Sequence, residues 1–309
     1  MSHHNASDQI EQNIASALET LIQKRPVLET ILRSFGEILT ERKLFAQELQ
    51  RELQQVYLDL DYSRLLQGVP LLSGFSFDVL QDPLNRSFAL MLAVLKRTIP
   101  NLKADSAGID CLHREGRLDL IRLSRAYLDG EISILRNSAE AAHVSEGILA
   151  LLLHTMLAPL LDALTVSVGE RIKQSGWNKG YCPVCGSMPS MSYLAEACDL
   201  GSEFLKGGGG QRYLHCSLCG YDWRVKRNMC PACETEDKDL RLYFQVQDEH
   251  AERLDVCRNC GGYLPCLDLR QSAFKPQMDI AAVGMLHLAV WAAEKGYHPL
   301  AQTPWNFLQ

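Results

Sequence analysis

Residues 177–189 read WNKGYCPVCGSMP, and the pair Cys182/Cys185 inside this stretch is the first of four with one spacing. Cys216/Cys219 in CSLCG, Cys230/Cys233 in CPACE and Cys257/Cys260 in CRNCG follow. Two residues between thiolates let a tight turn aim both sulfurs at one ion. Two such turns supply the tetrahedral four-sulfur set that zinc or a single iron prefers. Glycine after the second cysteine, at Gly186, Gly220 and Gly261, permits a positive φ and leaves backbone N–H groups facing sulfur. Glu234 stands in that place in the third pair, and a looser turn is expected there. One such pair would equally suit a redox dithiol; four together point to metal.

Pairing in sequence order leaves thirty residues between Cys185 and Cys216 and twenty-three between Cys233 and Cys257. Both lengths suit a ribbon of knuckle, hairpin and knuckle, and make the region a diverged tandem duplication. A cross-brace, joining first with third and second with fourth, usually brings the middle pairs close. Ten residues separate Cys219 from Cys230, which favours the sequential arrangement. Cys111, Cys198 and Cys266 fall outside the pairs and are expected to be free thiols, with Cys266 near enough to Cys260 to be an alternate ligand. His215 precedes Cys216, but complete four-cysteine sets leave it no place as a ligand.

Outward from the cysteines the texture changes on both sides. Upstream, leucine-rich segments repeat at helical spacing. Ile10, Ile14, Leu18, Leu21 and Ile22 precede Pro26, and Leu28, Ile31, Leu32, Phe35, Ile38 and Leu39 continue through Leu44, Phe45 and Leu49. Further helices are expected over about Phe88–Ile99, Leu118–Tyr127 and Ser145–Thr165, with a turn at Gly68-Val69-Pro70-Leu71-Leu72. His154 within the last helix reads as a hydrogen-bonded core residue. Short strands are expected over 212–215, 221–225 and 240–247, with Gly207–Gly210 as a flexible run. Downstream, a helix over Met278–Glu294 presents Ile280, Val283, Leu286 and Val290 for docking. The fold class is therefore α+β: an all-α domain (1–176), two tandem cysteine modules (177–227 and 228–270), and a C-terminal helix (271–309) packing back on the body.

Of 309 residues, 47% are hydrophobic and 22% charged, with a net charge of −6, as in an ordinary globular protein. Residues 177–270 carry eleven Lys and Arg against thirteen Asp and Glu, a net of −2. That balance disfavours a phosphate-tracking surface and nucleic acid as a partner. The apolar run Ile148–Leu164 is broken by His154, Pro159 and Asp162 and falls short of the roughly 20 residues a membrane helix needs. The polar start, Met1–Glu11, has no signal-peptide pattern, so a cytoplasmic location without membrane insertion is expected. Closed four-cysteine sites lack the open position of a hydrolytic metal. No phosphate loop, nucleophile elbow or His-Glu-x-x-His occurs, so neither catalytic residues nor an organic-cofactor site are expected.

The stretch Trp177–Pro189 resembles the opening of the metal region in the FdhE family, the formate dehydrogenase accessory proteins. The likeness continues through RYLHCSLC (Arg212–Cys219), Asp222-Trp223, Arg227 before Cys230, and CRNCGGYL (Cys257–Leu264). It spans about Trp177–Asp268, and rests upstream on Gly68–Leu72 and on helix content. It implies an all-helical N-terminal part, two rubredoxin-like modules and two iron ions, each held by four cysteines, with zinc the alternative. It further implies a non-catalytic assembly factor that binds the catalytic subunit of respiratory formate dehydrogenase in the cytoplasm. A redox protein passing electrons to a client and a structural zinc protein offering a docking surface are the competing readings.

Overall fold

Apolar residues three and four apart fold the first half into helices that share one interior. The computed structural model describes residues 2–54, 56, 58–99, 102, 106–195, 210–247, 249–271 and 275–306. Helix α1 (Ser2–Lys24) ends where Pro26 opens a short 3-10 turn, and α2 (Glu29–Leu53) follows. Then come α3 (Gln81–Thr98), α4 (Ala107–Arg114), α5 (Leu120–Asp129), α6 (Ile132–Ala141) and α7 (Glu146–Lys173). Local chemistry sets several ends. The Asp119 carboxylate accepts the Arg122 N–H at 2.9 Å, and Gly130 at φ 71° stops α5. Ser145 caps α7 in the same manner.

Helix α7 is the axis of the body. It runs two turns beyond the expected end, and it is apolar all round because α2, α3, α5 and α6 surround it. Its most apolar 18-residue window is 78% buried within the protein, so the hydropathy of Ile148–Leu164 is consumed by packing. Ser87 of α3 donates to the Met156 carbonyl at 2.6 Å in the dry contact between α3 and α7. His154 accepts or donates with the Tyr127 hydroxyl at 3.0 Å, and is a core residue as expected.

Strands β1 (Pro189–Ala195), β2 (Gln211–Cys216), β3 (Asp222–Val225), β4 (Arg241–Phe244), β5 (Glu252–Cys257), β6 (Gly262–Asp268) and β7 (His298–Pro299) form one sheet. The order is β3-β2-β1-β6-β5-β4, with β7 also beside β6. Each module is an antiparallel meander of three strands, and the parallel pair β1/β6 joins them, with Ser192 opposite Cys266. Knuckle, strand, strand, knuckle, strand recurs in the same order in both halves of the sheet. That repetition fits a tandem duplication whose copies are related by a shift along the sheet.

Helices α8 (Met278–Gly284) and α9 (Leu286–Glu294) close the structure. Met278, Ala282, Met285 and Leu288 pack on Met191, Tyr193, Leu254, Val256 and Tyr263 of the sheet. Ile280 and Val283 turn the other way, into Ile14, Leu32, Phe35 and Leu39 of α1 and α2. The expected docking face fails at one residue. Val290 is 54% exposed: the face turned to α1 and α2 carries Ile280, Val283 and Leu286, while Leu288 and Ala292 continue the sheet-facing stripe of Met278, Ala282 and Met285. Cys198 and residues 207–209 of the glycine run lie outside the described residues.

Candidate metal centre

Each cysteine knuckle is a turn closed by its own backbone. The N–H of Cys182, Cys216 and Cys230 donates to the carbonyl five residues on (Ser187, Tyr221 and Thr235) at 2.9, 3.0 and 2.9 Å. Gly186, Glu234 and Gly261 return their N–H to Cys182, Cys230 and Cys257, each at 2.9 Å. The left-handed φ needed after the second cysteine is 80° at Gly186, 71° at Gly220 and 72° at Gly261. Glu234 takes it too, at φ 56°. The third knuckle therefore keeps the turn that looked looser in the sequence, with a strained side chain in place of a glycine.

The hairpins bring the knuckles together in sequence order. Sulfurs of Cys182, Cys185, Cys216 and Cys219 form one group and those of Cys230, Cys233, Cys257 and Cys260 another, all within 4.8 Å of their fellows. Across the first, Cys182 and Cys219 are 3.5 Å apart and Cys185 and Cys216 are 3.4 Å apart. Across the second, Cys230–Cys260 is 3.8 Å and Cys233–Cys257 is 3.7 Å. A disulfide needs about 2.05 Å. A tetrahedral ion with metal–sulfur bonds of about 2.3 Å spaces its sulfurs by roughly 3.8 Å. The donor sets therefore fit a four-coordinate thiophilic ion and not a crosslink.

The first group, the inner centre, lies in the main apolar core: Cys182, Cys216 and Cys219 are 0% exposed and Cys185 5%. The body grips both of its knuckles. Gly68 (φ 78°) ends a 3-10 turn and sends the chain across the first knuckle. There Leu71 and Leu72 donate their N–H groups to Pro183 and Val184 carbonyls at 2.8 and 2.9 Å. The Tyr181 hydroxyl donates back to the Gly68 carbonyl at 2.7 Å. On the second knuckle Arg42 of α2 donates to the Leu218 carbonyl at 3.0 Å. Four thiolates around a divalent ion leave two net negative charges in a dry site. The buried Arg42 guanidinium faces them, and Leu218 and Cys219 N–H groups donate to Cys216 sulfur at 3.4 Å.

Beside this centre is a buried charge network with no local sequence sign. His215 contacts Asp222 through Nδ1 at 2.7 Å and Asp279 of α8 through Nε2 at 3.3 Å. Burial alone would lower its pKa, but Asp279 and Asp222 outweigh burial and hold it up at about 9. Arg42 also lies 3.8 Å from Asp279 and 3.7 Å from Asp162 of α7, while Lys275 donates to Asp222. His215 is thus an ion-pair partner, and its ring is not among the clustered donor atoms.

The second group, the outer centre, sits away from the body. Cys230 and Cys257 are 3% and 4% exposed, whereas Cys233 and Cys260 are partly open to solvent. Asn259 donates its amide to Cys233 sulfur at 3.3 Å. Burial would raise the Cys233 thiol, yet the Asn259 amide and the Thr235 N–H bring it to about 7. Gly180 lies against the Pro231 carbonyl so closely that a Cβ there would stand 1.8 Å from it.

The remaining expectations sort by burial. Cys266 is buried on β6 opposite Ser192, apart from both clusters, and Cys111 is exposed on α4. Trp223 is 4% exposed with its indole N–H on the Lys179 carbonyl at 2.9 Å, a core residue of its module. Trp177 is partly buried and donates to the Tyr181 carbonyl at 2.9 Å. Arg212, one of the eleven Lys and Arg counted over residues 177–270, is 1% exposed. It donates to the Met229 carbonyl at 3.0 Å and pairs with Asp255 at 2.8 Å, tying the two modules together.

Comparison with known proteins agrees with this architecture. Residues 181–227, covering the inner centre, match the family model described as FdhE, central domain. The chain is 26% identical over 298 residues to an FdhE homolog of Aquifex aeolicus (strain VF5), covering 95% of this chain and 94% of that protein. An FdhE homolog of Pectobacterium carotovorum is 26% identical over 281 residues, covering 88% and 82%. The fold of this chain is that of the FdhE protein crystal structure from Pseudomonas aeruginosa, with a TM-score of 0.63, 21% identity, and coverage of 95% of this chain and 94% of that one. The resemblance to the FdhE family, first carried by the cysteine motifs, extends along nearly the whole chain.

Proposed function

We propose, from this likeness to FdhE proteins, that the chain is a non-catalytic accessory factor in the maturation of respiratory formate dehydrogenase. It acts by binding the enzyme's catalytic subunit, in the cytoplasm, with one ion in each four-cysteine centre. The observation that carries the reading is the pair of closed four-sulfur sites on one sheet of an FdhE fold. Cys182, Cys185, Cys216 and Cys219 hold the first ion, and Cys230, Cys233, Cys257 and Cys260 the second. Iron in these sites supplies one-electron chemistry, and zinc supplies none. With all four positions taken by sulfur, neither ion has a place for substrate or hydrolytic water, which supports binding over catalysis.

Protein purified without oxygen from iron-replete cells is expected to contain two iron equivalents and to be coloured when oxidised. Colourless protein with zinc alone sinks the iron assignment and the redox alternative with it. Cys182→Ser/Cys185→Ser is expected to lose about one equivalent. Loss of both, or of neither, counts against two separate centres. The partner is tested by co-purification from cells expressing formate dehydrogenase. No retained catalytic subunit, with formate oxidation unchanged on gene deletion, ends the accessory-factor reading.

A further inference from the structure

The two centres share donors and spacing but not surroundings. Every cysteine of the inner centre belongs to the main apolar core, while none of the outer four joins a buried apolar cluster among the described residues. The inner knuckles receive the Leu71 and Leu72 N–H groups, Arg42 and the packed ring of Pro70, whose Cγ stands 3.2 Å from where a Gly186 Cβ would lie. At 0–5% exposure the inner sulfurs are shielded by the helical body packed on both knuckles. In the outer centre, Pro231 seats the Cys230 knuckle against Gly180, and the His298 N–H of β7 donates to the Gly261 carbonyl at 3.0 Å behind the Cys257 knuckle. Cys233 and Cys260, one from each knuckle, face solvent. The side-chain hydrogen bond to Cys233 from outside the cysteine set comes from an exposed residue, Asn259.

Resting on the two-ion reading above, we propose that the centres divide their work: the inner ion is locked in place and fastens the sheet to the helical body, whereas the outer ion is exchangeable, open to thiolate or chelating nitrogen ligands through Cys233 and Cys260. Exchange is an associative substitution. The entering sulfur or nitrogen donor bonds to the ion as the bond to Cys233 sulfur breaks, and the released thiolate takes a proton from water. Cys260 follows in the same manner, the bonds to Cys230 and Cys257 are then displaced by further donors with each thiolate protonated in turn, and the ion leaves with its new ligands. No electron changes hands.

The test uses the full chain loaded with zinc under nitrogen, challenged with excess 4-(2-pyridylazo)resorcinol, with release followed by absorbance. Denaturation at the end gives total zinc, and a total below two equivalents defeats the two-ion reading itself. With two equivalents present, release is expected in two phases of one equivalent each, separated by at least tenfold in rate. Iodoacetamide added during the fast phase should label Cys233 and Cys260 while sparing Cys182, Cys185, Cys216 and Cys219. A single phase of two equivalents, or early label on the inner cysteines, overturns the proposal. Asn259→Ala, a change at an exposed residue, should speed the fast phase severalfold and leave the slow phase unchanged. Equal acceleration of both phases, or none, counts against the assignment.

Discussion

Replacing Arg212 by methionine tests how the modules are joined. The side chain is 1% exposed, and its guanidinium reaches the Met229 carbonyl at 3.0 Å, Ser192 Oγ at 3.3 Å and Asp255 at 2.8 Å. Removing one partner of a buried ion pair costs about 3–5 kcal/mol, mostly because the other charge stays buried. Here Asp255 is 13% exposed and keeps Arg253 at 3.0 Å, which places the loss near the low end, about 3 kcal/mol. That is roughly a 150-fold drop in the folding constant. Asp255→Asn should cost about as much alone but little more on top of Arg212→Met, leaving a coupling of about 2 kcal/mol. Urea unfolding followed by circular dichroism, at one fixed free-zinc level so that metal linkage stays constant, gives all four values. A loss below about 1 kcal/mol for Arg212→Met, or simple additivity in the double variant, refutes the junction described here.

Two further changes probe the knuckles. Glu234→Gly removes a non-glycine residue from φ 56°. The relief of about 1–2 kcal/mol, less glycine's added chain entropy, should raise stability by about 0.5–1 kcal/mol; the lost exposed contact with Lys179 at 3.4 Å is worth little. A fall in the urea midpoint would contradict the strain. Gly180→Ala drives a Cβ to 1.8 Å from the Pro231 carbonyl, and overpacking of this kind costs about 1–3 kcal/mol. The displacement falls on the Cys230 knuckle, so zinc release from the outer centre should quicken while the inner phase holds. Wild-type stability and release would show that the contact yields freely.

What the sequence disclosed follows from how local each signal is. A Cys-x-x-Cys turn carries its geometry within six residues, so both clusters and their pairing were readable before any fold was known. Helix α7 was visible by its apolar run, although its last two turns, with Val166 exposed and Arg171 and Lys173 near the end, lack that run. Strand β1 escaped notice because the alternation Ser190-Met191-Ser192-Tyr193 is only four residues long and the strand is buried on both faces. Its parallel pairing with β6 joins segments more than seventy residues apart, and nothing local announces such a partner. No local pattern marks Arg42, Asp162, Asp222 and Asp279 as partners of one another. Only the folded chain brings them around His215 and the second knuckle. Val290 followed helical periodicity faithfully and was misplaced because periodicity tells which face a residue is on, not how far along that face its neighbours reach.

The position of Asp279 bears on how the chain matures during synthesis. The inner cysteines are complete once Cys219 has left the ribosome, and by then α1 to α7 have all emerged. An ion could be captured at that stage, while β6, the strand that must lie beside β1, is still untranslated. Until α8 arrives, Arg42 and His215 face a gap where their shared carboxylate belongs, and the apolar side of β1 around Met191 and Tyr193 has no cover. The nascent protein would then pass through a metal-bearing but unsealed stage, sticky on one face, that ends only when the last helices fold down. Asp279, which meets α2 and β2 at once, is the latch that closes it.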